Sequence, residues 1–82
     1  MNKIKLSEKA KSLKLGEYEH YKGKRYEVLG VALDSESLEE LVLYQALYGE
    51  GLVWVRPLAM FLEKVKVNGQ NVIRFEPIIG KG

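Results

Sequence analysis

Apolar and polar residues alternate along this chain with two different spacings. Up to Leu15 the apolar positions Leu6, Ala10 and Leu13 fall at i, i+4 and i+7, a thin helical stripe. Ser7 is placed to cap a helix over Glu8 to Leu15, and Gly16 is its stop signal. A frayed, loosely packed leader is the alternative. From Gly16 onward the period becomes two. Tyr18 to Tyr21 reads as a strand, Lys22-Gly23-Lys24 as a turn, and Arg25 to Leu33 as the hairpin partner. In that second strand Tyr26, Val28 and Gly30 would share one face and Glu27, Leu29 and Val31 the other. Apolar residues on both faces suggest burial on both sides or strong curl, and Gly30 marks a bend or bulge.

Asp34 to Ser37 is a polar loop. The run from Leu38 to Tyr48 is compatible with a helix through Leu38, Leu41, Val42 and Gln45. The Tyr44 and Tyr48 pair, the lack of proline and the Gly49-Glu50-Gly51 turn favour a strand, which is the assignment adopted. Leu52 to Arg56 is a strand that Pro57 ends. Leu58 to Glu63 reads as one helical turn, with Met60 and Phe61 assigned to the core. Val65 to Val67 and Val72 to Phe75 flank Asn68-Gly69, the strongest hairpin signal in the chain. The expected fold is mainly all-β: a small, strongly bent antiparallel SH3-like barrel of about five strands. A short N-terminal helix precedes it and one helical turn comes before the last hairpin. The domain plan is a lysine-rich leader over 1–15, a β-domain over 16–79 and a loose tail over 80–82.

Eighty-two residues leave room for one core. There is no cysteine, hence no disulfide and no thiolate metal site. No run reaches the roughly 18 apolar residues of a membrane span, and the leader lacks a signal-peptide apolar core, so the expected address is the cytoplasm, with no membrane partner. The leader carries five lysines against Glu8; the remainder carries eight basic and ten acidic side chains. The body is therefore faintly acidic, which counts against nucleic acid as a partner. A homodimer is compatible with so small a core, and no feature of the sequence specifies it.

Catalytic chemistry is thinly represented. The chain has one histidine, His20, no threonine, and four serines confined to the leader and the polar loop. It has no nucleophile elbow, no phosphate-binding glycine loop and no metal-ligand cluster. No catalytic residue, metal ligand or cofactor is assigned. Two constellations suit binding instead. His20, Tyr21 and Lys22 put an imidazole, a phenol and an ammonium at a hairpin tip, which is otherwise an ordinary exposed turn. Trp54 and Arg56 project from one face of a strand, where a flat ring and a planar fork can stack on and pair with an anionic ligand. The plainer alternative makes Trp54 the main core residue and gives Arg56 a glutamate partner.

The series Gly16, Tyr18, His20-Tyr21-Lys22-Gly23, Tyr26, Val28, then Ser35-Glu36, Glu39, Tyr44, Leu47-Tyr48-Gly49, Trp54-Val55-Arg56-Pro57, Met60-Phe61 and Arg74-Phe75 resembles the small bacterial domain-of-unknown-function family 1653. The resemblance runs from Gly16 to Phe75. It departs at Asp34, where a histidine is expected before the Ser-Glu pair. It implies a compact bacterial module and transfers no activity. It adds Ser35, Glu36, Glu39 and Arg74 to the site candidates, as polar motif positions that no turn requires. The resulting expectation is a non-catalytic module whose shallow aromatic and cationic groove takes a peptide or small anionic ligand. A single-stranded nucleic-acid binder is one alternative, with Tyr21, Tyr26, Tyr44 or Trp54 stacking on bases. A hydrolase built from His20, Ser35 and Glu39 is another.

Overall fold

The computed structural model describes residues 4–79, so the tail expected at 80–82 lies outside the described residues. The protein is mostly β. Seven strands form two antiparallel sheets, with one short helix ahead of the first strand and another between the two sheets. The chain runs α1 (Glu8–Ser12), β1 (Gly16–His20), β2 (Arg25–Leu33), β3 (Glu40–Ala46), β4 (Val53–Pro57), α2 (Leu58–Phe61), β5 (Lys64–Val67), β6 (Gln70–Ile73) and β7 (Phe75–Pro77). The larger sheet has the order β4-β3-β2-β1-β7, and β5 and β6 form a separate hairpin. Strands β4 and β7 remain its two edges, so the described strands do not close into a barrel by hydrogen bonding.

The helix is shorter than the sequence pattern suggests. Ser7 caps it by accepting from the Ala10 amide, but Leu13 is already extended and the helix stops at Ser12. Ending there lets Leu13 pack against the core and frees the Lys14 carbonyl to accept the Tyr18 hydroxyl at 2.7 Å. The leader is not a loose appendage: Ala10 is buried in the core, and the Ser7 amide and hydroxyl both donate to Glu40 on β3, at 2.7 and 2.6 Å.

In β2 the pairing with β3 slips between Val28 and Gly30. Leu29 is the extra residue of a bulge, so the inward phase changes from even to odd numbers. Val31 therefore packs on the core beside Val28, rather than on the opposite face as strict alternation from Tyr26 requires. The segment 38–48 is strand from Glu40 to Ala46. The last hairpin turns at Asn68 (φ 50°) and Gly69 (φ 79°), the two successive positive φ values of a type I′ turn. Its return strand ends at Ile73 instead of reaching Phe75. Arg74 is a pivot, and Phe75 begins β7, which pairs with His20 on β1.

The core is an aromatic stack capped by aliphatics. Phe61 of α2 and Phe75 of β7 lie parallel with centroids 4.2 Å apart, and Tyr18 and Tyr44 meet Phe61 edge-on. Val28 and Val42 fill the space beneath, fully buried. Of the pair assigned to the core, only Phe61 is inside; Met60 is half-exposed. Across this core the Arg56 guanidinium of edge strand β4 lies over the Phe75 ring of edge strand β7, at 5.6 Å from its centroid.

Candidate functional site

Register places the site. Tyr44 pairs with Trp54 and Val42 with Arg56, so Trp54 and Arg56 extend the inward face of β3 onto the edge strand. Tyr26 enters the same face from β2, opposite Ala46, and Tyr48 follows β3 in the connection to β4. Tyr26, Tyr44, Tyr48, Trp54 and Arg56 line an open depression of about 290 Å³. Trp54 is 48% exposed, so it is a wall of this depression and not the centre of the core.

The tyrosines hold one another. The Tyr26 and Tyr48 hydroxyls share a 2.6 Å hydrogen bond, and Tyr26 meets Tyr44, Tyr48 and Phe75 edge-to-face. Burial, aided by the bond to Tyr48, pushes the Tyr26 phenol up to about 12, so it stays protonated at neutral pH. Arg56 Nε donates to the Tyr44 hydroxyl at 3.3 Å, and the guanidinium carbon lies 5.6 Å from the Phe75 ring centroid. No carboxylate pairs with Arg56 among the described residues. The glutamate partner that a scaffold role demands is absent there, and the planar fork keeps donors for something else.

His20 also meets Phe75. Its ring lies 4.9 Å from Phe75, 4.6 Å from Tyr21 and 6.5 Å from Tyr26. The Lys22 amide donates to His20 Nδ1 at 3.2 Å, which leaves the ring proton to Nε2 in the neutral imidazole. Desolvation, then the Arg56, Arg74 and Lys22 charges, pull its pKa below 6.5, so this histidine is a neutral donor at physiological pH. The His20 hairpin and the Trp54 strand thus converge on Phe75 and Tyr26.

Other sequence candidates fall elsewhere. Tyr21 borders a separate depression with Glu19, His20, Val72, Ile73 and Glu76, and Lys22 sits over the Tyr21 ring at 5.9 Å. The lysine beside the cleft is instead Lys24, 4.5 Å above the Tyr48 ring. Arg74 donates to Glu63 at 3.2 Å and ties the end of α2 to the β6–β7 junction. Its Nε is buried with no partner among the described residues. Ser35, Glu36 and Glu39 are exposed in the loop beyond Leu33, with the nine residues of β2 between them and the His20 turn. At roughly 3.3 Å per residue that strand is far too long for His20, Ser35 and Glu39 to meet. Asp34 shapes this loop by accepting from the Glu36 and Ser37 amides, at 2.8 and 3.0 Å, which explains an acidic side chain at that position in purely local terms. Glu39 lines a different depression with Ser7, Lys9, Glu40, Leu58, Ala59 and Leu62. Lys9 and Lys14 of the leader border depressions that share no lining residue with the aromatic cleft.

Tyr26, Tyr44 and Tyr48 are the cleft residues that the site assignment from sequence left out, the inward or outward placement of the Tyr44 and Tyr48 pair being undecided by the pattern; the buried Phe75 behind them is the other omission. An i, i+4 tyrosine pair beside a Trp-x-Arg strand is the signal that points to the first wall. Nothing in the pattern announces Phe75, because it reads as the end of a hairpin. Among the described residues no group of three histidine, cysteine or acidic side chains is arranged to hold a metal ion, and no helix is long and apolar enough to cross a membrane.

Residues 16–77 match the family model described as a protein of unknown function, DUF1653. A crystal structure of a protein of that family from Bordetella bronchiseptica is similar at 34% identity and a TM-score of 0.78, covering 84% of this chain and 91% of that one. No curated protein matches the sequence significantly.

Proposed function

We propose, starting from a chain that belongs to the DUF1653 family of proteins of unknown function, that it is a non-catalytic binding module whose aromatic cleft takes an anionic ligand. One observation carries this reading: Arg56 is held over Phe75 by Tyr44 with no carboxylate partner among the described residues, at the mouth of an open, ring-walled depression. A partly buried cation is normally paired, and one left with free donors beside a flat indole suits a carboxylate or phosphate on a planar or apolar body. The protonated Tyr26 and its Tyr48 hydroxyl partner add hydrogen-bonding capacity to the cleft without adding charge. We read the fold as an SH3-like barrel left open between β4 and β7, supported by Phe75 of one edge meeting Arg56 of the other. Grooves of this kind bind ligands on aromatic walls, a fold-level analogy that adds little alone.

The single-strand nucleic-acid reading receives less support. Tyr44 is buried, Tyr26 is packed edge-to-face with Tyr44 and Phe75, and leader lysines Lys9 and Lys14 border other depressions. Trp54 is the sole tryptophan of the chain, so its fluorescence reports on the cleft directly. Benzoate and phenyl phosphate should perturb that emission, while neutral benzamide at equal concentration should not. Arg56→Gln should abolish the response. An equal response to benzamide, or amide shifts confined to another face, sinks the proposal.

A further inference from the structure

The aromatic cleft has an immediate neighbour. Ala46, Tyr48, Gly49, Glu50, Leu52 and Trp54 line a second depression of about 220 Å³, and Tyr48 and Trp54 line both. The two hollows therefore share an aromatic wall. The first ends in the free guanidinium of Arg56. The second is apolar, floored by Ala46 and flanked by half-exposed Leu52, and its one charge is Glu50. We infer that the pair of hollows is a two-point site for an extended peptide that places an acidic side chain on Arg56 and an apolar residue, proline above all, in the second hollow. The inference rests on the anion-binding reading of the cleft and adds the class of ligand.

Three features favour a peptide over a small anion. A molecule small enough for one hollow leaves the exposed faces of Tyr48, Leu52 and Trp54 uncovered, and a contiguous exposed apolar patch of this kind marks an interaction surface. An extended chain presents successive side chains at spacings that span a shared wall, and proline packs on tyrosine and tryptophan plates with little ordering cost. The wall is also prearranged: the Tyr26–Tyr48 hydrogen bond fixes one ring, and Lys24 above it adds a second cation at the rim. Charge then sets which residue goes where. Glu50 repels a carboxylate from the second hollow, and Arg56 attracts it to the first.

The test uses acetyl-Pro-Pro-Glu-Pro-Pro-amide, which offers proline on both sides of the acid and so needs no assumption about chain direction. Binding is followed by Trp54 emission and by amide shifts of the intact protein. Replacing the peptide glutamate by glutamine, or all its prolines by glycine, should each weaken binding about tenfold, the scale of one lost charge-assisted bond or one lost apolar contact. Arg56→Gln should erase the preference for glutamate over glutamine while keeping that for proline over glycine. Leu52→Ser, at a half-exposed position, should do the reverse. Because the peptide substitutions are made on the wild-type chain, the outcome does not depend on either variant folding. If the glycine peptide binds as well as the proline peptide while benzoate still binds, the peptide inference falls and the anion reading stands. If neither peptide nor benzoate perturbs the cleft, both fall. Tighter binding of a fifteen-residue oligothymidylate than of the proline peptide also overturns the inference.

Discussion

Replacing Arg56 with methionine separates a ligand-facing arginine from a scaffold one. The substitution keeps a flexible apolar stem against Phe75 and removes the guanidinium. What is lost is the contact over the Phe75 ring at 5.6 Å, worth about 0.5–1 kcal/mol. A long 3.3 Å bond to the Tyr44 hydroxyl goes too, worth about 0.5–1 kcal/mol. The Tyr44 hydroxyl then faces an open cleft, where water can take the place of the lost donor. The expected cost is therefore about 1–2 kcal/mol, against roughly 4–12 kcal/mol for a domain of this size, and the protein stays folded. An arginine closed into a buried ion pair would instead cost about 3–5 kcal/mol, because the stranded carboxylate pays its own desolvation. Urea unfolding followed by far-ultraviolet circular dichroism distinguishes the two, since the smaller loss moves the midpoint by about 1 M at the slope of a small domain. A second readout is independent of stability. Arg56 is one of the charges holding the His20 pKa down, so its removal should raise the His20 titration toward 6.5 in a proton NMR series. A stability loss above about 3 kcal/mol, or a His20 titration that does not move, refutes the geometry on which the binding proposal rests.

Stability should also fall on acidification through His20: its folded pKa lies below the unfolded 6.5, so the unfolded chain takes up the proton first. The contribution is complete above 6.5 and is lost as pH drops through the folded value, a slope that His20→Gln should remove from urea midpoints compared at about pH 7.5 and about pH 5. Phe75→Ala should cost about 3–5 kcal/mol, because that buried ring touches Phe61, Tyr44, Tyr26, His20 and Arg56 at once; calorimetry showing a cooperative transition near the wild-type temperature would contradict the packing described. Ser7→Ala removes both the helix cap and a donor to Glu40, so it should cost about 1 kcal/mol and speed amide exchange at Ala10 and Lys11, while the β-sheet amides stay protected.

Strand positions and turn chemistry were readable because they are local. Arg25 to Leu33 and the Asn68-Gly69 turn follow from alternation and positive-φ propensity, and each depends on no distant residue. Trp54 and Arg56 were also legible as a shared face, since a strand's pleat settles that question. What local pattern does not carry is which strand a segment pairs with. Phe75 continues an apolar run after Val72, so nothing nearby reveals that Arg74 breaks the strand and hands Phe75 to β1. The same limit affected Ser35, Glu36 and Glu39: polar motif positions look alike whether they gather in a cleft or shape a loop, and the length of β2 decides it. Val31 was misplaced by one residue's phase, because a bulge is visible in sequence only as a suggestive Gly30 and not as a count.

That single extra residue has a consequence for how the molecule can diverge. Ahead of Leu29, β2 furnishes an aromatic to the open cleft; after it, the same strand furnishes an aliphatic to the packed interior. A sliding error of β2 against β3 would bring Glu27 to the inside, so the irregularity works as a notch that locks alignment. Cleft chemistry can then change at Tyr26 without disturbing the packing around Val31, and a chain with a different cleft need not rebuild its interior.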